Sequence, residues 1–208
     1  MLSSRRKQNL GFMRPAIAGL AMVLAALFVS TSCSAQPYFP RSAFTDLNSY
    51  SAHVPEVFSN YLRSVQEPVI YSDEALEFAV RLTIKAGVRG GLVVRVSEAR
   101  DGQIVAIARR FHAQAASEVA PRPVYERNLS VTPDDVLRIK RKISDANIWQ
   151  TDNKQDVISG GSLWLLEVKD GKRFHAIYRL APLSDSVFDV GSLLITLAHE
   201  ELIDRDPR

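Results

Sequence analysis

Two short apolar runs joined by Asp170-Gly171 are the feature that most constrains the fold of this 208-residue chain. The runs cover residues 163–168 and 174–180 and are rich in aliphatic and aromatic side chains, as is typical of strands packed on a core. Asp-Gly between such runs favours a tight turn, because both residues tolerate positive φ. The sequence therefore predicts an antiparallel hairpin over residues 160–182.

The other elements extend this hairpin into an order of β-β-β-β-α-β-β-α. Alternating apolar residues between turn-forming breaks predict four strands, at residues 76–86, 92–97, 104–113 and 124–131. Thr132 and Pro133 are typical of a helix start, and a second helical pattern covers residues 185–202. These elements predict an α+β fold, with an antiparallel sheet of about five to six strands and two main helices packed on one face.

The first 32 residues have the pattern of a secretory signal peptide. Four basic residues precede an apolar run over residues 16–29, and no acidic residue occurs before Asp46. The run is shorter than the roughly 20 apolar residues that a membrane span needs. Its removal leaves 22 of the 26 basic residues against all 23 acidic ones, so a nucleic-acid partner loses its electrostatic basis.

Cys33, the single cysteine of the chain, follows this run closely. The site resembles the lipobox of bacterial lipoproteins, where the cysteine is lipidated and becomes the first mature residue, although Ser30 stands where leucine is usual. The alternative is cleavage after Ala35, which gives a soluble periplasmic protein. We favour lipidation of Cys33 and predict export to the bacterial cell envelope. One cysteine also excludes an internal disulfide.

The mature chain is predicted to have two parts. Residues 33–67 form a tether or wrapped arm with a short helix, because residues 34–50 contain two prolines and many small polar side chains. Residues 68–204 form a single globular α+β domain, and a mature chain of this length can bury one self-supporting core.

Four polar residues of the hairpin are the candidate ligand-binding residues: Glu167, Arg173, His175 and Arg179. A Glu–His–Arg group could bind an anion or transfer protons. The simpler and favoured interpretation is a cross-strand ion pair beside a solvated histidine, which contributes at most about 1 kcal/mol.

The register of the hairpin decides which of these side chains meet. With a type I turn and Gly171 in the bulge position, Glu167 faces Arg173, and all four candidates share one face. The opposite face then carries Trp164, Leu166, Phe174 and Tyr178. A two-residue turn at Asp170-Gly171 would instead pair Glu167 with Phe174. We prefer the first register because it separates polar from apolar side chains better.

Motifs for catalysis and metal binding are incomplete in this sequence. There is no Gly-x-Ser-x-Gly nucleophile motif, and the segment from His199 has Ile203 where a zinc-binding helix needs its second histidine. We therefore predict no catalytic residue, no metal and no cofactor.

A further pattern resembles an uncharacterised family of small exported bacterial α+β domains, many of them lipoproteins. The residues that carry the resemblance are Trp149, Gly161, Trp164, Glu167, Gly171, His175, Arg179 and Pro182. The resemblance covers about residues 76–200 and departs at Ser162, where the family pattern has an acidic residue or glycine. It implies the fold and the export but no activity.

The sequence thus predicts a lipid-anchored, non-catalytic binding or accessory module of the envelope. Its expected contacts are the membrane, through the anchor, and an envelope protein partner. The alternative function is a small-molecule binder or weak hydrolase that uses the Glu/His/Arg cluster of the hairpin.

Overall fold

The computed structural model describes residues 37–40, 42–44, 46–47, 51–86, 90–112, 123–153, 161–180, 182 and 184–199. They belong to a compact unit that runs from Pro37 to Arg208. The predicted signal peptide and Cys33 lie outside the described residues. Within these ranges, no helix has the length and apolar character that crossing a membrane requires.

Six antiparallel strands form one sheet with the order β4-β3-β2-β1-β5-β6. The strands are β1 (Leu76–Lys85), β2 (Gly91–Ala99), β3 (Ile104–Phe111), β4 (Pro123–Asn128), β5 (Leu163–Asp170) and β6 (Arg173–Leu180). The predicted α+β class, strand number and element order are confirmed. The hairpin of β5 and β6 pairs with β1, so β1 is a central strand with neighbours on both sides.

One face of the sheet carries the main core, under α2 (Pro133–Asp145) and α3 (Ser186–Leu197). The α2 helix begins where the sequence predicts, because Thr132 and Asp135 form a reciprocal capping box. Trp164 of β5 is buried in this core and stacks near Phe188 of α3. We call this side the α2/α3 face; the prediction of two main helices on one side of the sheet is confirmed.

The opposite face, the α1 face, is covered by α1 (Val54–Ser64) and by the described residues between 37 and 47, called the arm below. Tyr38 and Phe39 of the arm are buried with Phe58 and Leu62 of α1 against β5 and β6. The segment predicted as a tether or wrapped arm is thus wrapped in its described part, and it completes a second core.

The predicted registers of the hairpin are both wrong. The turn residues are Gly171 and Lys172, so Asp170 pairs with Arg173 and Glu167 pairs with Ala176. Gly171 has φ +55, and a glycine with positive φ in the first position is what a type II′ turn requires. The strands consequently pair with Asp170 as the last residue of β5.

The two edges of the sheet differ. The outer edge of β6 is covered, because Ala176 N donates to Ala43 O at 3.2 Å and the Asn153 side chain bonds to both Ala176 O (3.2 Å) and Tyr178 N (2.9 Å). Asn153 thereby replaces a neighbouring strand. On the other side β4 is the last strand of the described sheet, and five of its six residues are exposed.

Gly191 of α3 gives a direct test of the packing on the α2/α3 face. A Cβ atom at this position would lie 2.6 Å from Cζ3 of Trp164. Alanine favours a helix by roughly 0.8–1.0 kcal/mol over glycine, but overpacking a core costs about 1–3 kcal/mol. We expect Gly191→Ala to lower the free energy of unfolding measured in urea. The adjacent control Ser192→Ala should leave it unchanged or raise it; a stabilised Gly191→Ala variant would contradict this packing.

Candidate functional site

The structure separates Glu167 from the other three candidate residues of the hairpin. Arg173, His175 and Arg179 lie on the α2/α3 face, because they alternate along β6 with the residues that face α1. Glu167 lies on the α1 face, opposite to them. The predicted sharing of one face by all four is therefore wrong, and the Glu/His/Arg cluster of the alternative function does not form.

Each of the three β6 residues has a local partner. Arg179 Nε donates to Asp185 Oδ2 at 2.7 Å, next to the start of α3. His175 Nε2 lies 2.8 Å from the carbonyl oxygen of Thr151. The guanidinium carbon of Arg173 lies 4.1 Å from the ring centre of Trp149. These contacts fix the segments before and after the hairpin to its α2/α3 face.

Glu167 instead forms a buried ion pair with Arg81 of β1. Arg81 Nε donates to Oε2 at 2.6 Å and Nη2 donates to Oε1 at 2.7 Å, a bidentate arrangement between two residues that are at most 1% exposed. The two residues are direct cross-strand neighbours in the antiparallel pairing of β1 and β5. A parallel double hydrogen bond of this kind is the strongest geometry available to arginine and a carboxylate.

A second buried carboxylate, Glu67, extends this pair across the sheet. Its Oε2 atom lies 3.4 Å from Arg81 Nη1 and 3.2 Å from Arg95 Nε, and its Oε1 accepts from Arg109 Nη1 at 2.8 Å. Arg109 also pairs with the half-exposed Glu126 of β4 at 2.8 Å. Three arginines from β1, β2 and β3 are thus balanced by three glutamates. We call these six side chains the ionic row.

Tyr38 joins the arm to the ionic row. Its hydroxyl accepts from Arg81 Nη1 at 3.0 Å and lies 2.7 Å from Pro68 O and 2.9 Å from Glu67 O, so it can donate to either carbonyl. Arg81 Nη1 also donates to Pro68 O at 2.8 Å. Burial raises the pKa of Tyr38 above its ordinary value, so the hydroxyl keeps the proton that it donates.

The electrostatics of the row are those of a closed structural centre. Burial alone would lower the pKa of Arg81, but the Glu167 carboxylate and its hydrogen bonds raise it above the ordinary value. Burial raises the pKa of the Glu167 carboxyl, and Arg81 opposes that shift. Both carboxylate oxygens of Glu167 accept from Arg81, at a depth that solvent does not reach. The arrangement holds charge and positions the arm, and it leaves no oxygen of Glu167 free for a substrate.

Sequence reasoning missed Arg81 and Glu67, the two residues that organise this centre. The signal for Arg81 is a charged residue in the middle of an otherwise apolar strand, since arginine is rarely fully buried without a partner. Glu67 carries no comparable signal, because it follows α1 in a short turn and reaches the sheet only through the tertiary fold.

Two clefts border the arm and the hairpin. An apolar cleft of about 420 Å³ lies between the arm and α1, where Phe39, Phe44 and Leu47 form part of its wall. A second cleft of about 580 Å³ lies at the turn of the hairpin. In the described part of the chain, no group of three His, Cys, Asp or Glu side chains is arranged to hold a metal ion.

Comparison with known proteins does not extend this description. No protein-family model matches the chain, and the curated proteins contain no match to it. The resemblance to exported bacterial domains stays a prediction from the residues that carry it. What the fold and the centre define is an α+β domain with a single antiparallel sheet and an internally balanced ionic row.

The ionic row predicts unequal effects for one substitution at its two ends. Glu167→Gln removes the charge opposite buried Arg81 and should lower the free energy of unfolding by about 3–5 kcal/mol. The matched control Glu126→Gln breaks the half-exposed pair with Arg109 and should cost at most about 1 kcal/mol. Urea unfolding followed by tryptophan fluorescence measures both. Equal losses in the two variants would show that the Glu167 pair is not buried as described.

Proposed function

We propose that the protein is a lipid-anchored, non-catalytic binding module of the bacterial cell envelope, held close to the membrane surface. The observation that carries the anchor is the position of Cys33 directly after the apolar run of the predicted signal peptide, and the burial of the arm from Tyr38 onward supports a position near the membrane. Tyr38, five residues beyond Cys33, is 3% exposed and hydrogen-bonded to the buried Arg81. A long flexible tether is therefore missing between the predicted anchor and the described start of the packed arm.

Chain length sets how far the module can be from the anchor. Four peptide steps join Cys33 to Pro37, and an extended chain covers at most about 14 Å over that distance. Lipidation of Cys33 would accordingly keep the start of the arm near the lipid headgroups. A single acyl chain binds membranes only marginally, so the multiple chains of a lipoprotein anchor suit a stable attachment.

The exposed strand β4 is the surface that best suits an envelope protein partner. Unpaired strand edges accept an additional strand through main-chain hydrogen bonds. The β6 edge is occupied by Ala43 and Asn153, whereas β4 is the last strand of the described sheet and five of its six residues are exposed. We infer that an extended segment of another envelope protein pairs with β4 and that the module has an accessory role.

Removing the predicted anchor tests the first part of this proposal. Cys33→Ala should release the protein from the membrane pellet to the soluble envelope fraction, while the neighbouring control Ser34→Ala should stay in the pellet. Intact-mass spectrometry of the mature wild-type protein should show Cys33 as the first residue with attached acyl groups. A mature chain that begins at Gln36 without lipid would overturn the anchor in favour of cleavage after Ala35.

Site-specific photo-crosslinking tests the partner surface. Val124 of β4 and Leu137 of α2 have matched exposure, at 48% and 49%, on different parts of the molecule. A crosslinking amino acid at position 124 should join a single different envelope protein in intact cells, and the same probe at position 137 should not. Identical products from both positions would contradict a specific β4 interface, as would capture of a second copy of this chain.

A further inference from the structure

The cleft at the turn of the β5–β6 hairpin has more cationic than acidic side chains in its wall. Arg100, Lys169 and Lys172 line its wall together with a single carboxylate, Glu74. Its volume of about 580 Å³ lies within the range of roughly 300–1,000 Å³ that small-molecule sites occupy. We call it the cationic cleft.

Lys169 is the buried cation of this cleft. The residue is 5% exposed, and its ammonium donates to the carbonyl oxygen of Tyr71 at 3.1 Å. No carboxylate of the described residues lies within 4.0 Å of it, in contrast to Arg81, which has Glu167 and Glu67. Burying an ammonium is costly without an opposite charge, so an anion beside Lys169 would be favourable.

Further acidic residues border the cleft, and they offset part of its positive charge. Asp73 Oδ1 accepts from Ala75 N at 3.0 Å. Glu77 Oε2 lies 4.0 Å from Arg100 Nε. Both side chains are more than half exposed, so their attraction is weak. Glu74 is the one carboxylate that lines the wall, against three cationic side chains.

The cleft is also close to the predicted anchor along the chain. Tyr71, which lines the cleft, donates its hydroxyl to the carbonyl oxygen of Pro37 at 3.2 Å. Pro37 is four residues after Cys33. A chain anchored at Cys33 would bring this side of the module within reach of lipid headgroups.

We propose that the cationic cleft binds the phosphate group of an anionic phospholipid. The proposal rests on the proposed lipid anchor for the position of the cleft at the membrane. Lysine binds phosphate well as a compact charge, and basic side chains near a membrane surface are attracted by anionic lipids. The anchor attaches the module, and the cleft orients it by holding a headgroup next to the attachment point.

Vesicle sedimentation tests this site independently of lipidation. The full mature chain carrying Cys33→Ala is mixed with phosphatidylcholine vesicles, with or without phosphatidylglycerol. Binding should require phosphatidylglycerol. Lys172→Gln and Arg100→Gln should each weaken it about fivefold, which corresponds to about 1 kcal/mol. Both side chains are exposed, so the variants are expected to fold.

Arg141→Gln is the matched control, because Arg141 is an exposed cation of α2 on the other side of the sheet. An equal loss of binding in this control would overturn the site in favour of a general charge effect. Binding of soluble glycerol 3-phosphate as tight as binding to the vesicles would overturn the lipid source in favour of a free phosphate ligand. Because the Cys33→Ala variant carries no lipid, a failure of vesicle binding leaves the Cys33 experiment of the proposed function unaffected.

Discussion

The buried pair of Arg81 and Glu167 is the interaction on which the rest of the α1 face depends. A guanidinium and a carboxylate removed from water are tolerated only when nearly all their hydrogen-bonding groups are satisfied. Here some of the hydrogen bonds come from residues outside the sheet. Arg81 donates to Tyr38, Glu67 and Pro68 in addition to its partner on β5. The arm and the turn after α1 must therefore be in place before the charges of the central strands are fully compensated. Two apolar side chains would fill the same space, but they would not require the arm and the turn after α1 to take one particular position.

This dependence connects the arm to the centre of the fold. A flexible linker has a reach that depends on its length and composition. In this protein Tyr38 contacts the most buried arginine, and the backbone at Ala43 bonds to β6. A force on the arm would be transmitted to β1 and β6 rather than taken up by a flexible linker. The proposed membrane orientation relies on this rigidity.

Much of the fold follows from local sequence patterns, whereas the candidate centre does not. The capping box at Thr132, the alternation of β1 and the turn at Gly171 are short-range signals, and all of them gave correct elements. The register depended on whether the turn used Asp170-Gly171 or Gly171-Lys172, and the core side chains of neighbouring strands decide that question. The two-residue turn that forms, in place of the bulged turn that we preferred, puts Glu167 on the same face as Phe174 and Ala176, which is the α1 face. Its actual partner, Arg81, is 86 residues away in sequence.

The unequal edges of the sheet restrict how copies of this protein can associate. Continuous growth of a sheet needs two free edges on every molecule, since each copy must receive one neighbour and offer a place to the next. The Asn153 amide and the Ala43 carbonyl occupy one of them. Strand pairing through β4 would thus end with one partner strand and would not continue into a fibre. If the proposed lipid anchor concentrates the protein in a membrane plane, that asymmetry separates a limited complex from open-ended polymerisation.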